Sequence, residues 1–279
     1  MPDGLPAVPR LTALHRYPVK ACAGEALTEA HLDVDGVRHD RLLAVAVGDR
    51  VMTQREHPVL SRVRPALEDA TALLTLDCER PGAPAGVTAA VDVEGPCREV
   101  MLFGRPVDVV DQAEELSAWF TALLGAPAVL VAAPPTSRRT SPGVVEGLTL
   151  LSDVGTVSLH SEASLAGLNE RLAARGHPAL PGDRFRANLV VDGIDAHAED
   201  QVGELCVGEV RLAFAELDER CVVATVDQCA GRRAGPEPIR TLATYRRTES
   251  GGVAFGIYAA VVAPGTVRVG DPVVVRPRS

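Results

Sequence analysis

Along the first hundred residues apolar positions come in short runs broken by turn residues, a pattern of strands and not of helices. Residues 42–47 are an unbroken apolar run, Gly48-Asp49-Arg50 reads as a turn, and 51–53 resume, which predicts a hairpin. Residues 72–76, 87–93, 100–103 and 107–110 predict further strands, the last two parted by Gly104-Arg105-Pro106, so this half reads as a small sheet or barrel. The period then changes. Leu116, Phe120 and Leu123 fall at helical spacing within 112–124, with Asp111 as candidate cap and Gly125 and Pro127 as stop signals. After an apolar strand at 128–131, the Pro-, Ser- and Arg-rich stretch 133–147 predicts a mobile connection. The domain boundary is placed there, giving 1–132 and 133–279.

The second half opens on a helix at 162–174, capped by Ser161, burying Leu165, Leu168 and Leu172 and ended by Gly176 and Pro178. Strands are expected at 188–191, 205–207, 210–214, 221–226, 254–262 and 267–275, with a short helix at 238–245. Many short strands with Gly-bearing turns suggest a closed or half-closed barrel. The expected class is α+β and β-rich, a β domain followed by a β-barrel with peripheral helices.

Length and composition narrow the function more than the fold. With 279 residues and 46% apolar content, the chain suits one large or two ordinary domains. No apolar stretch approaches the roughly 18 residues of a membrane helix, and residues 1–11 lack the basic and apolar regions of a secretory signal. A soluble, cytoplasmic protein with reduced thiols is the expectation. The net charge of −9, without a block of like charge, argues against a nucleic-acid partner and for a small one.

Six cysteines (Cys22, Cys78, Cys97, Cys206, Cys221, Cys229) show no C-x-x-C pair, and the histidines show no two-ligand spacing, which argues against a structural zinc site. There is no G-x-S-x-G, Walker loop or G-x-G-x-x-G after a strand. Of 28 basic residues only Lys20 is lysine. A compact ammonium in place of a planar fork is one reading of it; codon bias with one chance survivor is the other.

Basic residues beside predicted turns carry the first chemical signal. Tyr17-Pro18-Val19-Lys20, Asp40-Arg41 and Thr53-Gln54-Arg55 set cations where a phosphate could be held, or where charges are simply solvated. Ser161-Glu162 opens a helix whose free N–H groups favour anions, though capping explains it equally. Arg186 and Asn188 stand two apart before an apolar strand, on one face, which ordinary edge polarity also accounts for. Cys221 lies between a charged turn and an apolar run, with Arg220 able to favour the thiolate that a soft metal takes. A small buried hydrophobe is its plainer reading.

In order along nearly the whole chain, these segments resemble the MOSC-domain proteins, and among them the two-domain group containing the mitochondrial amidoxime-reducing component and its bacterial relatives. The N-terminal likeness rests on Tyr17-Pro18-Val19-Lys20 with Cys22 and Gly24, then Asp40-Arg41, then Thr53-Gln54-Arg55-Glu56. The C-terminal likeness rests on Ser161-Glu162-Ala163-Ser164-Leu165, Arg184-Phe185-Arg186-Ala187-Asn188, Arg220-Cys221 running into Ala224-Thr225-Val226-Asp227, Leu242-Ala243-Thr244-Tyr245-Arg246, Phe255-Gly256-Ile257-Tyr258 and Val269-Gly270-Asp271. The resemblance implies a molybdenum cofactor, with Cys221 as metal ligand and Lys20, Arg41, Arg55, Ser161, Glu162, Arg186, Asn188 and Arg220 around the pterin and its phosphate. It implies reduction of N-hydroxylated compounds with electrons from a separate ferredoxin or flavoprotein, and Asp227 or Tyr258 as proton relays.

Two residues depart from the family pattern: Ala21 and Glu219 stand where small hydroxyl residues are common, which bears on cofactor affinity. The rival readings are an enzyme acting on oxidised sulfur or another N-oxide, a carrier of the cofactor or of sulfur on Cys221 without turnover, and a pocket in which Lys20 meets an aldehyde ligand such as pyridoxal phosphate.

Overall fold

The structure, a computed structural model, describes residues 8–278. Its largest sheet has eight strands in the order Glu25–Leu27, Arg10–Arg16, Leu189–Asp192, Val157–Ser161, Ala254–Ala263, Val210–Glu219, Val202–Val207, Val273–Pro277. The far strand curls back: Arg10 bridges to Pro272, Leu11 N–H donates to Asp271 O, and Val273 N–H donates to Pro9 O. Inside lie Leu11, Leu14, Leu159, Leu189, Val191, Leu205, Leu212 and Ile257. The first two strands of the chain are therefore staves of a sheet otherwise made by the C-terminal half.

A second, closed barrel is built from Cys97–Leu102, Arg105–Asp111, Val129–Ala132, Leu43–Val47 and Arg50–Val51. Leu43–Val47 is apolar throughout because both of its faces are buried. Ala44 and Ala46 point into the barrel with Val100, Val109 and Val131, while Leu43 and Val45 pack outward on Leu60, Leu74, Trp119 and Phe120. The aromatic pair comes from the helix Glu114–Leu124, which covers this side. A three-stranded sheet of Val63–Glu68, Leu73–Cys78 and Val87–Ala90 flanks it. No helix among the described residues is long and apolar enough to cross a membrane. All six cysteines are free.

The β-rich α+β architecture agrees with the sequence reading, and several local expectations are corrected. Asp111 does not cap the helix; it ends a strand and pairs with Arg98 at 2.6 Å, and the helix starts from Ala113 without a side-chain cap. Glu114 and Glu115 in its first turn meet the positive helix end instead. The stretch 133–147 is held by structure: Arg139–Ser141 pairs with Gly147–Thr149, Arg139 donates to Leu150 O and Ser152 O, and Ser141 Oγ accepts the Gly155 N–H. Residues 221–226 are not one strand, since the ladder partner runs out at the Glu219–Ala254 pair. Val222–Thr225 forms a 3-10 turn, with Val226–Asp227 extended after it.

Candidate functional site

A cleft between the two halves is lined from the N-terminal side by Lys20, Ala21, Arg41 and Thr53 to Arg55. The C-terminal half contributes Ser152 to Thr156, Ser158, Arg184 to Arg186, Asn188, Asp218 to Cys221, Val223, Ala224 and Tyr258. The structure thus brings together Lys20, Arg41, Arg55, Arg186, Asn188, Arg220, Cys221 and Tyr258, residues up to 238 positions apart. Ser161, Glu162 and Asp227 do not line it. Ser161 is fully buried and caps the helix Glu162–Ala174 by accepting the Ser164 N–H at 3.0 Å. Glu162 accepts from Thr12 Oγ1, and Asp227 pairs with Arg184 at 3.2 Å.

The N-terminal wall is stitched by backbone bonds. Lys20 N–H donates to Leu43 O, Leu43 N–H to Pro18 O, and Arg41 N–H to Tyr17 O. Buried Asp40 accepts the Tyr17 N–H at 2.8 Å and pairs with the Arg41 guanidinium. Arg41 and Arg186 each stack on the Tyr17 ring, 4.3 Å from its centroid. Arg41 also donates to Asn188 Oδ1 and Arg186 O, so Tyr17 holds two guanidinium groups together that would otherwise repel. Ala21, Arg41 and Arg186 all have positive φ (+69°, +49°, +52°), a concentration of uncommon backbone at one site.

Lys20 is buried and spans the cleft, its ammonium donating to Leu151 O and to Asp153. Burial pushes its pKa down, opposed by Asp153. Burial likewise resists ionisation of Asp153, but Lys20, Arg55 and Arg41 outweigh it and hold that carboxyl below its ordinary value. Asn188 is buried, accepting the Ser158 N–H at 3.1 Å and donating to His15 O at 3.2 Å. It fixes the strands around the cleft.

Cys221 is exposed at the start of the 3-10 turn, where its Sγ accepts the Val223 N–H at 3.5 Å and a bond from Arg55 Nη2 at 3.2 Å. Arg220 lines the cleft, yet its guanidinium donates to Phe255 O (2.8 Å) and Phe185 O (2.7 Å) and pairs with Asp218 at 2.7 Å. It braces the chain just before Cys221 against Phe185, Phe255 and Asp218, and its guanidinium is engaged there.

Asp218, which the sequence reading missed, is buried, and burial pushes its pKa up to about 6 against Arg220 and a hydrogen bond from Tyr258. Tyr258 is itself raised well above its ordinary value by burial and by Asp218. Gly155 makes room for it: a Cβ there would lie 1.9 Å from the Tyr258 ring. Arg184 has no distinguishing signal in the sequence beyond its place in the segment Arg184-Phe185-Arg186-Ala187-Asn188. It is buried in the cleft wall, with Nη2 on Asp227 and with Nε and Nη1 finding no partner among the described residues.

The two departures have definite surroundings. Ala21 gives its carbonyl to Gln54 Nε2 at 2.6 Å. The Glu219 carboxylate turns to Thr248 and Ser250, whose hydroxyls hold it below its ordinary value. Its charge is thereby tied to that loop. No cluster of three or more His, Cys, Asp or Glu suited to a metal occurs among the described residues. A metal at Cys221 would need most of its ligands from outside the chain.

Residues 149–274 match the MOSC domain and residues 8–127 the MOSC N-terminal beta barrel domain. The mitochondrial amidoxime-reducing component 1 of Homo sapiens is 30% identical over 276 residues, covering 92% of this chain and 80% of that protein. The mitochondrial amidoxime reducing component 2 of Rattus norvegicus is 31% identical over 279 residues, 92% of this chain and 80% of that one. The molybdenum cofactor sulfurase of Oryza sativa subsp. japonica is 28% identical over 257 residues, 86% of this chain but 31% of that protein.

Proposed function

This chain belongs to the MOSC-domain family, and from that premise we propose that it is a molybdenum-cofactor-dependent reductase of N-hydroxylated compounds. The observation that carries the reading is one exposed thiol, Cys221, facing a cleft lined by Lys20, Arg41, Arg55, Arg184 and Arg186. The fit to an anionic cofactor is supported by Arg184, whose buried Nε and Nη1 call for an acceptor that none of the described residues supplies. A phosphate oxygen is such an acceptor.

Cys221 would hold the metal, and Lys20, Arg41, Arg55 and Arg186 would face the pterin phosphate, with Arg184 beside them. Arg220 and Asn188 act by fixing these groups. Ser161 and Glu162 are left to helix capping and to the bond from Thr12. The cofactor, when bound, supplies a two-electron redox centre. The net conversion takes the N–OH compound, two electrons and two protons to the N–H compound and water. Electrons would come from a separate ferredoxin or flavoprotein, in a cytoplasm that keeps the six thiols reduced.

The protons need a donor. Asp218 with Tyr258 supports that role better than Asp227, which lies outside the cleft in an ion pair with Arg184. The groups facing Asp218 are Arg220, Tyr258, Glu216 and Arg41; burial raises the Glu216 carboxyl as well, but Asp218, brought to about 6, is the one of the two that lines the cleft. Its protonated form is the competent one, so turnover falls as pH rises through about 6. In Asp218→Asn this limb disappears and turnover drops by about 10²-fold at pH 5.5. A pH–rate profile unchanged by the substitution would remove Asp218 from the scheme.

The reading itself is tested with cofactor-loaded protein, reduced viologen as electron source and an amidoxime as substrate. Amidine formed in proportion to viologen oxidised, at one amidine per two electrons, is the expected result. Loaded protein that binds the amidoxime but oxidises no viologen would overturn it.

A further inference from the structure

The proposed reaction makes no use of an aromatic side chain that lies against two cations of the cleft wall. Phe103 and Gly104 form the two-residue loop between Cys97–Leu102 and Arg105–Asp111, and both have positive φ, +50° and +77°. Such a loop favours Asn or Gly at its first position, and a phenylalanine there is strained. The residue is 51% exposed, and its ring is nonetheless engaged: Arg55 Cζ lies 4.9 Å and Lys20 Nζ 5.3 Å from its centroid. Because Arg55 also donates to Cys221 Sγ, a single guanidinium separates ring from thiol.

Two more exposed apolar side chains belong to the cleft or adjoin its thiol. Val154 lines the cleft and Val222 follows Cys221, and both are among the exposed large hydrophobic residues. Three side chains are far short of the ~800 Å² per partner that a stable protein interface needs. They suit a small molecule with a polar head and a flat apolar body.

We propose that Phe103 is a specificity-determining residue: together with Val154 and Val222 it takes the aryl body of a substrate whose polar head enters the cleft toward Cys221. The inference rests on the reductase reading for the nature of that head, and on geometry alone for the platform. The test therefore uses neither metal nor turnover.

Full-length chain from a host lacking molybdenum-cofactor synthesis is treated with N-phenylmaleimide or N-ethylmaleimide. Adduct formation is followed by peptide mass spectrometry at Cys221 and at the two other exposed thiols, Cys97 and Cys229. The expected phenyl-to-ethyl rate ratio at Cys221 exceeds that at Cys97 and Cys229 by about two- to tenfold. Phe103→Asn, which restores the favoured Asn-Gly loop and so keeps the fold, lowers the Cys221 ratio to theirs; Phe103→Tyr preserves it. A change in thiol reactivity through Arg55 moves both reagents alike and leaves the ratio untouched. A Cys221 ratio equal to the others in the wild type, or unchanged in Phe103→Asn, overturns the proposal. Failure of the reductase reading would show instead in the viologen assay.

Discussion

Replacing Cys221 by serine is expected to lower amidoxime turnover by more than ~100-fold while leaving thermal stability within about 1 °C of the wild type. Changes in groups that merely support a metal ligand cost 10–100-fold, and removal of the ligand itself exceeds that. Stability is spared for a local reason. The thiol is exposed, its only bonds are from Val223 N–H and Arg55, and it sits at the cap of a 3-10 turn. Serine is a good cap and keeps that turn. Cys97→Ser and Cys229→Ser, at exposed thiols outside the cleft lining, serve as controls with full turnover. A Cys221→Ser protein with more than a third of wild-type activity would mean that this sulfur does not hold the metal.

The second large effect falls on stability. Arg220→Met removes the donors to Phe255 O and Phe185 O and leaves Asp218 buried without its cation. Breaking a buried pair this way costs about 3–5 kcal/mol, which lowers Tm by roughly 10 °C in a chain of this size. The stacked pair Phe185–Phe255, 3.8 Å between centroids, loses the guanidinium that joins its two backbones. The double substitution Arg220→Met/Asp218→Asn should be less damaging than the sum of its parts, because the stranded charge is gone.

Asp218 adds a pH signature to the same experiment. Its folded pKa of about 6 lies above its ordinary 3.8, so the native state keeps a proton that the unfolded chain releases. This contribution to stability is present below pH 4 and is lost as pH rises toward 6. Denaturant midpoints across that window check it, with Asp218→Asn as the reference. A Tm loss under 2 °C in Arg220→Met would contradict the account of this pair.

What could be read from the sequence was local. The helix Glu162–Ala174 announced itself through Ser161, its leucine spacing and Gly176, because cap and stop are short-range chemistry. Leu43–Val47 was legible as a strand, though not the reason for its continuous apolarity, which is burial between two cores. Arg10–Arg16 was missed: a bulge between Leu11 and Ala13 shifts its pairing and spoils the alternation. Val63–Glu68 was missed because Pro65 argues against a strand, and it survives there on a sheet edge.

The cleft residues divide in the same way. Lys20, Arg41, Arg186, Asn188 and Cys221 stood in motifs, whereas the partners that give them their surroundings are distant in sequence. Asp153 lies 133 residues from Lys20, and Arg55 lies 166 from Cys221. No spacing rule ties such residues together. Asp218 had one faint signal, a carboxylate three positions before the candidate ligand in a charged turn, but only the fold shows that this carboxylate is buried against Tyr258. Phe103 had another, an aromatic where a turn wants Asn.

The central claim is that Cys221 anchors a molybdenum cofactor in this cleft. Its most direct test is elemental molybdenum together with pterin phosphate, measured on wild type and Cys221→Ser made in a cofactor-competent host. The account predicts near-stoichiometric metal and pterin in the wild type, with metal lost or its spectrum altered in the variant. Wild-type protein that stays free of molybdenum in such a host would contradict it.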